Sequence, residues 1–385
     1  MGVRSLARLY KLWWAQIGII RGNGAGHMSC QAPSTWRLSS LIHPSAHSPH
    51  DNRVRPVRLP TPDDLAHARQ MVARYLTPTP LVASGSFRLK LESLQPTGSF
   101  KVRGAVSAMS AVPDGYRVIA ASAGNHALGI AWAAGQLGVP ATVVIAETAS
   151  DAKRRKLEQQ PVELIRYGQS IDEAEAFAWA RVQESTEPVR YISPYNDPLV
   201  IAGQSTILDE LVTQVPEGPL RIVVPLGGGG MLAGIALRAS ELRTAGRDIT
   251  VIGVEAQASQ AVSAAVAAGN TIEVQIGPTI ADGLAGNIEA GAITVELVRQ
   301  HVDHLQLVDE RTLRQTVRWL VQEHGLVVEG AGAAALSALR ENPPDDADTV
   351  TTIAILSGRN IMWQTLLDIL NEEPGEAIAA RDNAS

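Results

Sequence analysis

The sequence is poor in cysteine and in aromatic residues. Cys30 is the only cysteine among 385 residues, which excludes an intrachain disulfide and any metal site built on several cysteines. Phe, Trp and Tyr together make up 4% of the chain, so Ala, Val, Leu and Ile must fill the core. Hydrophobic residues at 45% and charged residues at 19% are typical of a globular protein, and the length favours two domains.

The N-terminal part of the chain almost lacks acidic residues. Residues 1–60 hold eight Lys or Arg and one acid, Asp51, whereas the remaining 325 residues hold 25 bases and 38 acids. An acidic body argues against a nucleic-acid-binding protein. The apolar stretch LWWAQIGII has only nine residues and is too short to cross a bilayer. We expect residues 1–58 to be a disordered extension or a mis-assigned start, with Met28 as the alternative initiator; a targeting peptide is the other interpretation.

From Thr61 onward, short β-rich runs alternate with helical patterns. Thr61 and Pro62 begin the first predicted helix. The β-rich runs are RVIAAS, ATVVIAE, VELIRYG, VRYISPY, RIVVPL, TVIGVEA and TIAILS. They are apolar throughout rather than alternating, as expected of parallel strands buried on both faces. The pattern predicts an α/β fold with parallel sheets flanked by helices.

Four consecutive glycines form the strongest single motif. Gly227, Gly228, Gly229 and Gly230 lie between the predicted strand RIVVPL and a predicted helix that begins near Met231. Backbone N–H groups in such a loop converge on an anion, and the helix N-terminus adds its partial positive charge. The motif therefore predicts a phosphate site. Gly228, Gly230 and Ala233 also match a dinucleotide fingerprint, with Glu255 as the ribose-binding acid, so an NAD-binding oxidoreductase is one alternative.

Lys101 occupies an unusual position for a lysine. In LESLQPTGSFKVRGA, Ser99 is the predicted N-cap of a helix whose first turn carries Lys101 and Arg103, cations at the positive end of the helix dipole. Phe100 adds an apolar neighbour. Both effects are expected to lower the pKa of Lys101, which suits an amine that attacks an aldehyde. Together with a phosphate site, this indicates pyridoxal 5′-phosphate (PLP) as cofactor; the alternative is an ordinary surface lysine.

Five motifs occur in the order and spacing of one enzyme family. PTGSFKVRGA, SAGNHALGIA, PLGGGGMLAGIA, TIADGLAG and ILSGRN resemble the threonine/serine dehydratases, PLP-dependent enzymes of the tryptophan-synthase-like fold type II. The resemblance covers about residues 60–370. Residues 107–195 hold three or four complete strand–helix units and are expected to form a small domain with its own sheet, whereas 59–106 and 196–375 are expected to build a large domain before a polar tail at 376–385.

The resemblance also implies a role for individual residues. Lys101 matches the Schiff-base lysine, Phe100 the residue beside the cofactor, and Asn125 the hydrogen-bond partner of the pyridoxal hydroxyl. The backbone of Gly227, Gly228, Gly229, Gly230 and Met231 matches the phosphate loop. Ser357 matches the partner of the pyridine nitrogen, and Glu329 an acid near the cofactor that is alternatively a first-turn acid of the following helix. The turn formed by Ser122, Ala123, Gly124, Asn125 and His126 matches the binding site of the substrate carboxylate.

Three departures from the family pattern bear on the reaction. Family racemases have a serine as second base where this chain has Ala123, which favours elimination. Metal-responsive relatives have an acid where this chain has Ala261, so we expect no divalent metal site. The segment GNIEAGAIT and Arg359 in SGRN differ from the usual family sequences and leave the substrate open.

The expected activity is β-elimination of a β-hydroxy amino acid such as threonine or serine, giving a 2-oxo acid and ammonia. Ser357, a hydroxyl, cannot hold the pyridine nitrogen protonated as an aspartate would, which favours elimination over transamination. Alternatives within the class are a dehydratase for 3-hydroxyaspartate or in hydroxyectoine breakdown, a racemase and a β-replacement synthase; outside it, the oxidoreductase or a non-catalytic PLP-binding protein. We expect a cytoplasmic homodimer that acts on a small amino acid, with no nucleic-acid or membrane partner.

Overall fold

The computed structural model describes residues 57–372. The predicted N-terminal extension lies outside these residues except for its last two positions, and so does the polar tail. Within the described part, no helix is long and apolar enough to span a membrane. The strands are β1 (Leu81–Ser84), β2 (Phe87–Lys90), β3 (Arg117–Ala121), β4 (Ala141–Ile145), β5 (Glu163–Arg166), β6 (Val189–Tyr191), β7 (Leu220–Pro225), β8 (Ile249–Ala256), β9 (His304–Val308) and β10 (Thr351–Ile355).

The helices alternate with these strands along most of the chain. They are α1 (Pro62–Tyr75), α2 (Lys101–Met109), α3 (Asn125–Leu137), α4 (Asp151–Glu158), α5 (Ile171–Glu184), α6 (Pro198–Gln214), α7 (Gly230–Thr244), α8 (Ala261–Ala268), α9 (Ile293–His301), α10 (Glu310–His324), α11 (Gly330–Glu341) and α12 (Trp363–Asn371). The predicted entry of α1 is confirmed, because Thr61 and Asp64 form a reciprocal capping box ahead of Pro62.

The strands form two sheets. The larger sheet has the order β1-β2-β10-β7-β8-β9, and the smaller has the order β5-β4-β3-β6. Every pairing is parallel except the β1–β2 hairpin. The strands of the smaller sheet fall within residues 117–191, inside the segment 107–195 that the strand–helix pattern predicts as a small domain. The domain boundaries themselves stay a prediction.

Both faces of the larger sheet are buried. Val223 on β7 packs into the apolar cluster on one face, whereas its neighbours Ile222 and Val224 pack into the cluster on the other face. On β10, Ala354 packs into the same cluster as Val223, and Ile353 packs into the cluster on the opposite face. This arrangement explains the uninterrupted apolar runs and confirms the predicted α/β fold with parallel sheets. The sequence analysis missed β1, β2 and β9; β1 and β9 are short edge strands with partly exposed side chains.

Candidate active site

A cavity of about 950 Å³ lies where several parallel strands end. Four lining residues come from the loops that follow strands. Ser122 follows β3, Pro194 follows β6, Gly227 follows β7 and Ser357 follows β10. Open α/β sheets bind ligands at this position because the loops that follow the carboxyl ends of neighbouring strands converge there. The cavity therefore draws its lining from both sheets.

Lys101 is the first residue of α2, and its side chain lines the cavity. Its Nζ donates a hydrogen bond to the carbonyl oxygen of Pro194 at 2.8 Å and lies 5.1 Å from the centre of the Phe100 ring. The predicted N-cap is wrong: Phe100 occupies the N-cap position without a side-chain cap. Ser99 is instead buried and forms an isolated antiparallel β-bridge with Gly358. Phe100 N donates a hydrogen bond to Ser357 O, which joins this segment to the residues that follow β10.

Burial lowers the pKa of Lys101 from 10.5 to about 8, although the charge of Glu329 raises it. At pH 7 this shift increases the fraction of free amine about 300-fold. The direction agrees with the sequence-based expectation, and removal from water is its main physical cause. The interpretation of Lys101 as an ordinary surface lysine is wrong, since the side chain is partly buried and faces the cavity.

Arg103 is not an unfavourable cation at a helix start. Its side chain is fully buried, and its guanidinium donates to Glu92 at 2.7 and 2.8 Å and to Glu210 at 2.6 Å. Lys90 also donates to a Glu210 oxygen, at 2.5 Å. These acids compensate the charge of Arg103 and join α2 to α6 and to the 3₁₀ turn after β2. The network holds the segment that carries Lys101.

The turn of residues 122–126 lines the cavity after β3, as the resemblance implies. The first intrahelical hydrogen bond of α3 runs from Leu128 N to Gly124 O at 3.2 Å. The N–H groups of Asn125 and His126 precede it and have no intrahelical acceptor. This end of α3 can therefore receive a carboxylate. Ala123 lines the cavity in the same turn, and its side chain has no hydroxyl group.

His126 has a structural role in this turn. It is almost fully buried, and its Nε2 lies 3.0 Å from the carbonyl oxygen of Ile192. Burial, together with the charge of Lys101, lowers the pKa of His126 to about 3, although the hydrogen bond with Ile192 O acts in the opposite direction. The imidazole is therefore neutral at physiological pH, and it links α3 to the segment after β6.

The glycine loop is packed so tightly that side chains are excluded. A Cβ atom would lie 3.0, 2.5, 2.9 and 2.9 Å from its nearest neighbour at Gly227, Gly228, Gly229 and Gly230, respectively. The ring of Tyr195 is that neighbour at Gly228, and Thr294 is at Gly229, where φ is +88°. The first intrahelical bond of α7 runs from Ala233 N to Gly229 O, which leaves the earlier N–H groups, including that of Met231, available to an anion.

The segment GNIEAGAIT (residues 286–294) forms hydrogen bonds with the glycine loop and with Tyr195, which packs against it. Thr294 Oγ1 donates to Gly228 O at 2.9 Å, and Glu289 N donates to the hydroxyl oxygen of Tyr195 at 2.9 Å. Gly286 and Asn287, at the start of the segment, line the cavity itself. The segment is thus part of the site that the sequence analysis left unassigned.

Ser357 and Glu329 line the part of the cavity next to the end of β10. Ser357 is 3% exposed and lies beneath the segment that leads to Lys101. Glu329 occupies the N-cap position of α11, one residue before the first turn, and makes no side-chain cap hydrogen bond. Its Oε1 instead accepts a hydrogen bond from Asn125 Nδ2 at 2.6 Å. Gly358 has no room for a side chain, because a Cβ there would lie 2.1 Å from Glu329 Oε1.

Burial raises the pKa of Glu329 to about 7. The negative charge of Asp282 contributes to this rise in the pKa, whereas the hydrogen bond from Asn125 and the charge of Lys153 oppose it. A carboxyl group that titrates near neutral pH beside a lysine of lowered pKa is typical of an active site.

The sequence analysis missed several groups that line the cavity. On α4, Lys153 Nζ forms an ion pair with Asp282 at 2.9 Å, and Lys156 Nζ donates to Asn360 Oδ1 at 2.6 Å. Tyr195 follows β6, and Asn360 follows β10. The position of Tyr195 and Asn360 after parallel strands could have predicted that they line the site. No such pattern marks Lys153 and Lys156, which lie on the exposed helix α4.

Glu255 does not belong to the cavity lining. Its buried carboxylate accepts hydrogen bonds from Val262 N at 2.9 Å and Ser263 N at 3.1 Å and so completes the start of α8. The proposed ribose contact of the oxidoreductase alternative is therefore wrong. Within residues 57–372, no group of three or more His, Cys, Asp or Glu side chains is arranged to hold a metal ion.

The groups around the cavity fit PLP. Lys101 offers an amine of lowered pKa to an aldehyde, and the glycine loop offers a cradle of backbone donors in which a Cβ would collide with its surroundings. Both line one cavity together with the buried hydroxyl-bearing residue Ser357. A cofactor with an aldehyde, a phosphate and a ring nitrogen uses all three.

Residues 72–358 match the family model of pyridoxal-phosphate-dependent enzymes, so the chain is a PLP-dependent enzyme. It is 36% identical over 294 residues to an L-threonine ammonia-lyase of Thermotoga maritima, covering 76% of this chain and 71% of that relative. It is 34% identical over 313 residues to the catabolic L-threonine dehydratase TdcB of Escherichia coli K12, covering 78% and 92%. Within the PLP-dependent enzymes, the chain belongs to the threonine/serine dehydratase family.

Solved structures agree on the fold. A threonine deaminase of T.th. matches with a TM-score of 0.67 at 35% identity, covering 79% of this chain and 99% of that one. Maize serine racemase matches with a TM-score of 0.72 at 30% identity, covering 81% and 97%. The predicted fold type II is confirmed, and so is PLP as the cofactor.

Proposed function

We propose that this enzyme removes water from L-threonine or L-serine by β-elimination and releases a 2-oxo acid and ammonia. The observation that carries the proposal is that Lys101, an amine with a pKa of about 8, lines one cavity together with the residues at the starts of α3 and α7. Relatives named threonine ammonia-lyase and threonine dehydratase support the same reaction.

We assign the cofactor contacts as follows. Lys101 would hold the aldehyde carbon through a C=N bond formed with release of water, Phe100 would pack beside the ring, and Asn125 would donate to the 3′-oxygen. The phosphate is bound by the backbone of Gly227, Gly228, Gly229, Gly230 and Met231. Ser357 contacts the pyridine nitrogen, and Glu329 lies near the ring through its hydrogen bond with Asn125.

Bound PLP withdraws electrons from the α-carbon of an attached amino acid and thereby acidifies its α-proton. The N–H groups of the turn formed by Ser122, Ala123, Gly124, Asn125 and His126 bind the α-carboxylate. Once the amino group of the substrate has replaced Lys101 at the aldehyde carbon, Lys101 Nζ would be free to take the α-proton, since the free amine of a lysine with lowered pKa is a base at neutral pH. The β-hydroxyl would leave as water with a proton that balances the one taken from the α-carbon, and hydrolysis of the dehydrated product by one water would yield the 2-oxo acid and ammonia.

Racemisation is the second candidate, because maize serine racemase has a similar structure. A racemase needs a proton donor on the face of the α-carbon opposite its base. Ala123 stands where the family racemases have a serine, and its methyl group cannot supply a proton. Elimination is therefore the better-supported reaction.

The test is a panel of β-hydroxy amino acids (threonine, serine, 3-hydroxyaspartate and phenylserine) assayed with the PLP-loaded enzyme for ammonia and 2-oxo acid. We expect equal amounts of both products from L-threonine or L-serine, and none from Lys101→Ala. Chiral analysis of the remaining substrate separates racemisation from elimination. No turnover of any member of the panel would overturn the proposed reaction.

At the level of the whole chain, we propose a large domain from 59–106 and 196–375 and a small one from 107–195, each with one sheet at its centre. We also propose a homodimer in the cytoplasm. Sedimentation at several protein concentrations tests the dimer, and a species with the mass of one chain throughout would contradict it.

A further inference from the structure

Four side chains form an uninterrupted line of hydrogen bonds along the cavity wall, here called the amide relay. Lys156 Nζ donates to Asn360 Oδ1, Asn360 Nδ2 donates to Asn125 Oδ1, and Asn125 Nδ2 donates to Glu329 Oε1, each at 2.6 Å. All four residues line the cavity. The relay begins at the rim, on α4, and ends at the buried carboxyl group of Glu329.

The surroundings of Asn360 determine which way its amide points. A lysine ammonium can only donate, so it requires the oxygen of Asn360. The carbonyl of Thr97 can only accept, and it receives the second N–H of Asn360 Nδ2 at 2.9 Å. Gly98, at φ +77°, packs against this amide: a Cβ there would lie 2.9 Å from Asn360 Oδ1. Both polar neighbours therefore demand the same orientation.

The orientation of Asn360 in turn determines that of Asn125. Because Asn360 presents an N–H, Asn125 must present its oxygen to it, and its own NH₂ group then faces Glu329 and the cavity. Glu329 alone would not enforce this, since a carboxyl group with a pKa of about 7 can donate when protonated as well as accept when ionised. The decisive constraint comes from the opposite end of the relay.

We propose that Asn360 and Lys156 are positioning residues that hold the amide of Asn125 with its N–H groups, rather than its carbonyl oxygen, toward the 3′-oxygen of the cofactor. The inference depends on the proposed contact of Asn125 with that oxygen. An anionic 3′-oxygen accepts hydrogen bonds and is stabilised by a donor, whereas a carbonyl oxygen in the same place would repel it. The cation of Lys156 polarises the relay in the same sense.

Other charged side chains lie near the amide relay, and they stay unchanged in the variants compared below. The charged or titratable side chains that line the cavity beside the relay are Lys101, His126, Lys153, Tyr195, Asp282 and Arg359. Burial lowers the pKa of Lys156, Glu329 raises it and Arg359 lowers it. No described acidic side chain forms an ion pair with Lys156, so its one strong partner in residues 57–372 is Asn360.

The experiment compares absorbance spectra of PLP-loaded wild-type, Asn360→Ala and Lys156→Met enzymes without substrate. Cofactor bound to a lysine absorbs visible light when its 3′-oxygen is anionic and near-ultraviolet light when that oxygen is neutral. We expect the ratio of the visible to the near-ultraviolet band to fall about tenfold in Asn360→Ala, the effect of losing one hydrogen bond to a charged group. In Lys156→Met, where Thr97 still orients Asn360, we expect a fall of about threefold.

Arg155→Met is the matched control, because it removes one positive charge from an exposed residue of the same helix that does not line the cavity. It should leave the spectrum unchanged, and Lys156→Arg should restore most of the visible band. A wild-type spectrum in Asn360→Ala would overturn the proposal. A shift in Asn360→Ala with none in Lys156→Met would overturn the part assigned to Lys156. These spectra need no substrate, so their outcome is independent of whether threonine proves to be turned over.

Discussion

Two properties of Lys101 suit it to act as a nucleophile and a base. It is withdrawn from water, which lowers its pKa to about 8, and it is held in place by a hydrogen bond to Pro194 O at 2.8 Å. Neither property depends on a strongly charged neighbour, because Glu329 acts in the opposite direction. Burial therefore accounts for the reactivity that we assign to this amine.

The rate at which the apoenzyme captures PLP should report this pKa. We expect the rate to rise with pH and to reach half its limit near pH 8, because only the unprotonated amine attacks the aldehyde. In Glu329→Gln the midpoint should move to lower pH, since the negative charge that favours protonated Lys101 is gone. Stopped-flow absorbance measures both curves.

Glu163→Gln serves as control for that experiment, because Glu163 is exposed and pairs with Arg117 away from this cavity. Its midpoint should equal that of the wild type. A wild-type midpoint near the ordinary lysine value of 10.5 would contradict our account of Lys101.

At the scale of single elements, α2 is anchored by the residue two positions after Lys101. Arg103 and Glu92 are both fully buried, and Glu210 joins them from α6. Such a network contributes little net stability when intact, but the loss of one member leaves buried charges without a partner. We infer that its role is to fix the position of α2, and hence that of Lys101, against α6.

Arg103→Met should lower the free energy of unfolding of the apoenzyme by about 3–5 kcal/mol, because the buried Glu92 then loses its ion-pair partner and Glu210 keeps only Lys90. Urea unfolding measures the change. Arg117→Met, which breaks the exposed pair between Arg117 and Glu163, should cost about 1 kcal/mol or less. Equal losses in the two variants would show that the Arg103 network is not the anchor we describe.

At the scale of the whole molecule, the cavity joins segments from both sheets. The turn after β3 and helix α4 contribute one side, and the glycine loop, Glu329 and the segment after β10 contribute the other. The ion pair of Lys153 with Asp282 and the relay bond of Lys156 with Asn360 connect these sides at the rim. A ligand in the cavity therefore acts on both halves at once.

Removal of PLP should loosen this junction more than the rest of the fold, since a ligand that binds only the folded state stabilises the segments that contact it. We expect faster amide hydrogen exchange in α4 and in residues 122–126 of the apoenzyme, measured by mass spectrometry. The strands β7 and β8, in the middle of the larger sheet, should exchange equally slowly in both forms. Equal exchange of α4 with and without PLP would contradict this view.

Much of the fold was accessible from sequence because it depends on local pattern. Buried parallel strands such as β4 and β7 are continuous apolar runs, and the helix starts near Thr61 and after Gly230 have clear signals. The strands that escaped prediction, β1, β2 and β9, are short or partly exposed and therefore lack that pattern. The N-cap assigned to Ser99 failed because a tertiary contact with Gly358 determines the backbone there.

The amino-acid sequence by itself determined which chemical groups are available: a lysine at a helix start, four glycines between a strand and a helix, and an amide and a hydroxyl after other strands. Only the tertiary structure decided how they act on one another. Asn125 and Glu329 are 204 positions apart, and Asn360 is 235 positions from Asn125. Their hydrogen bonds form because both sheets direct the carboxyl ends of their strands into one cavity, and packing at that distance along the chain leaves no trace in the local sequence pattern.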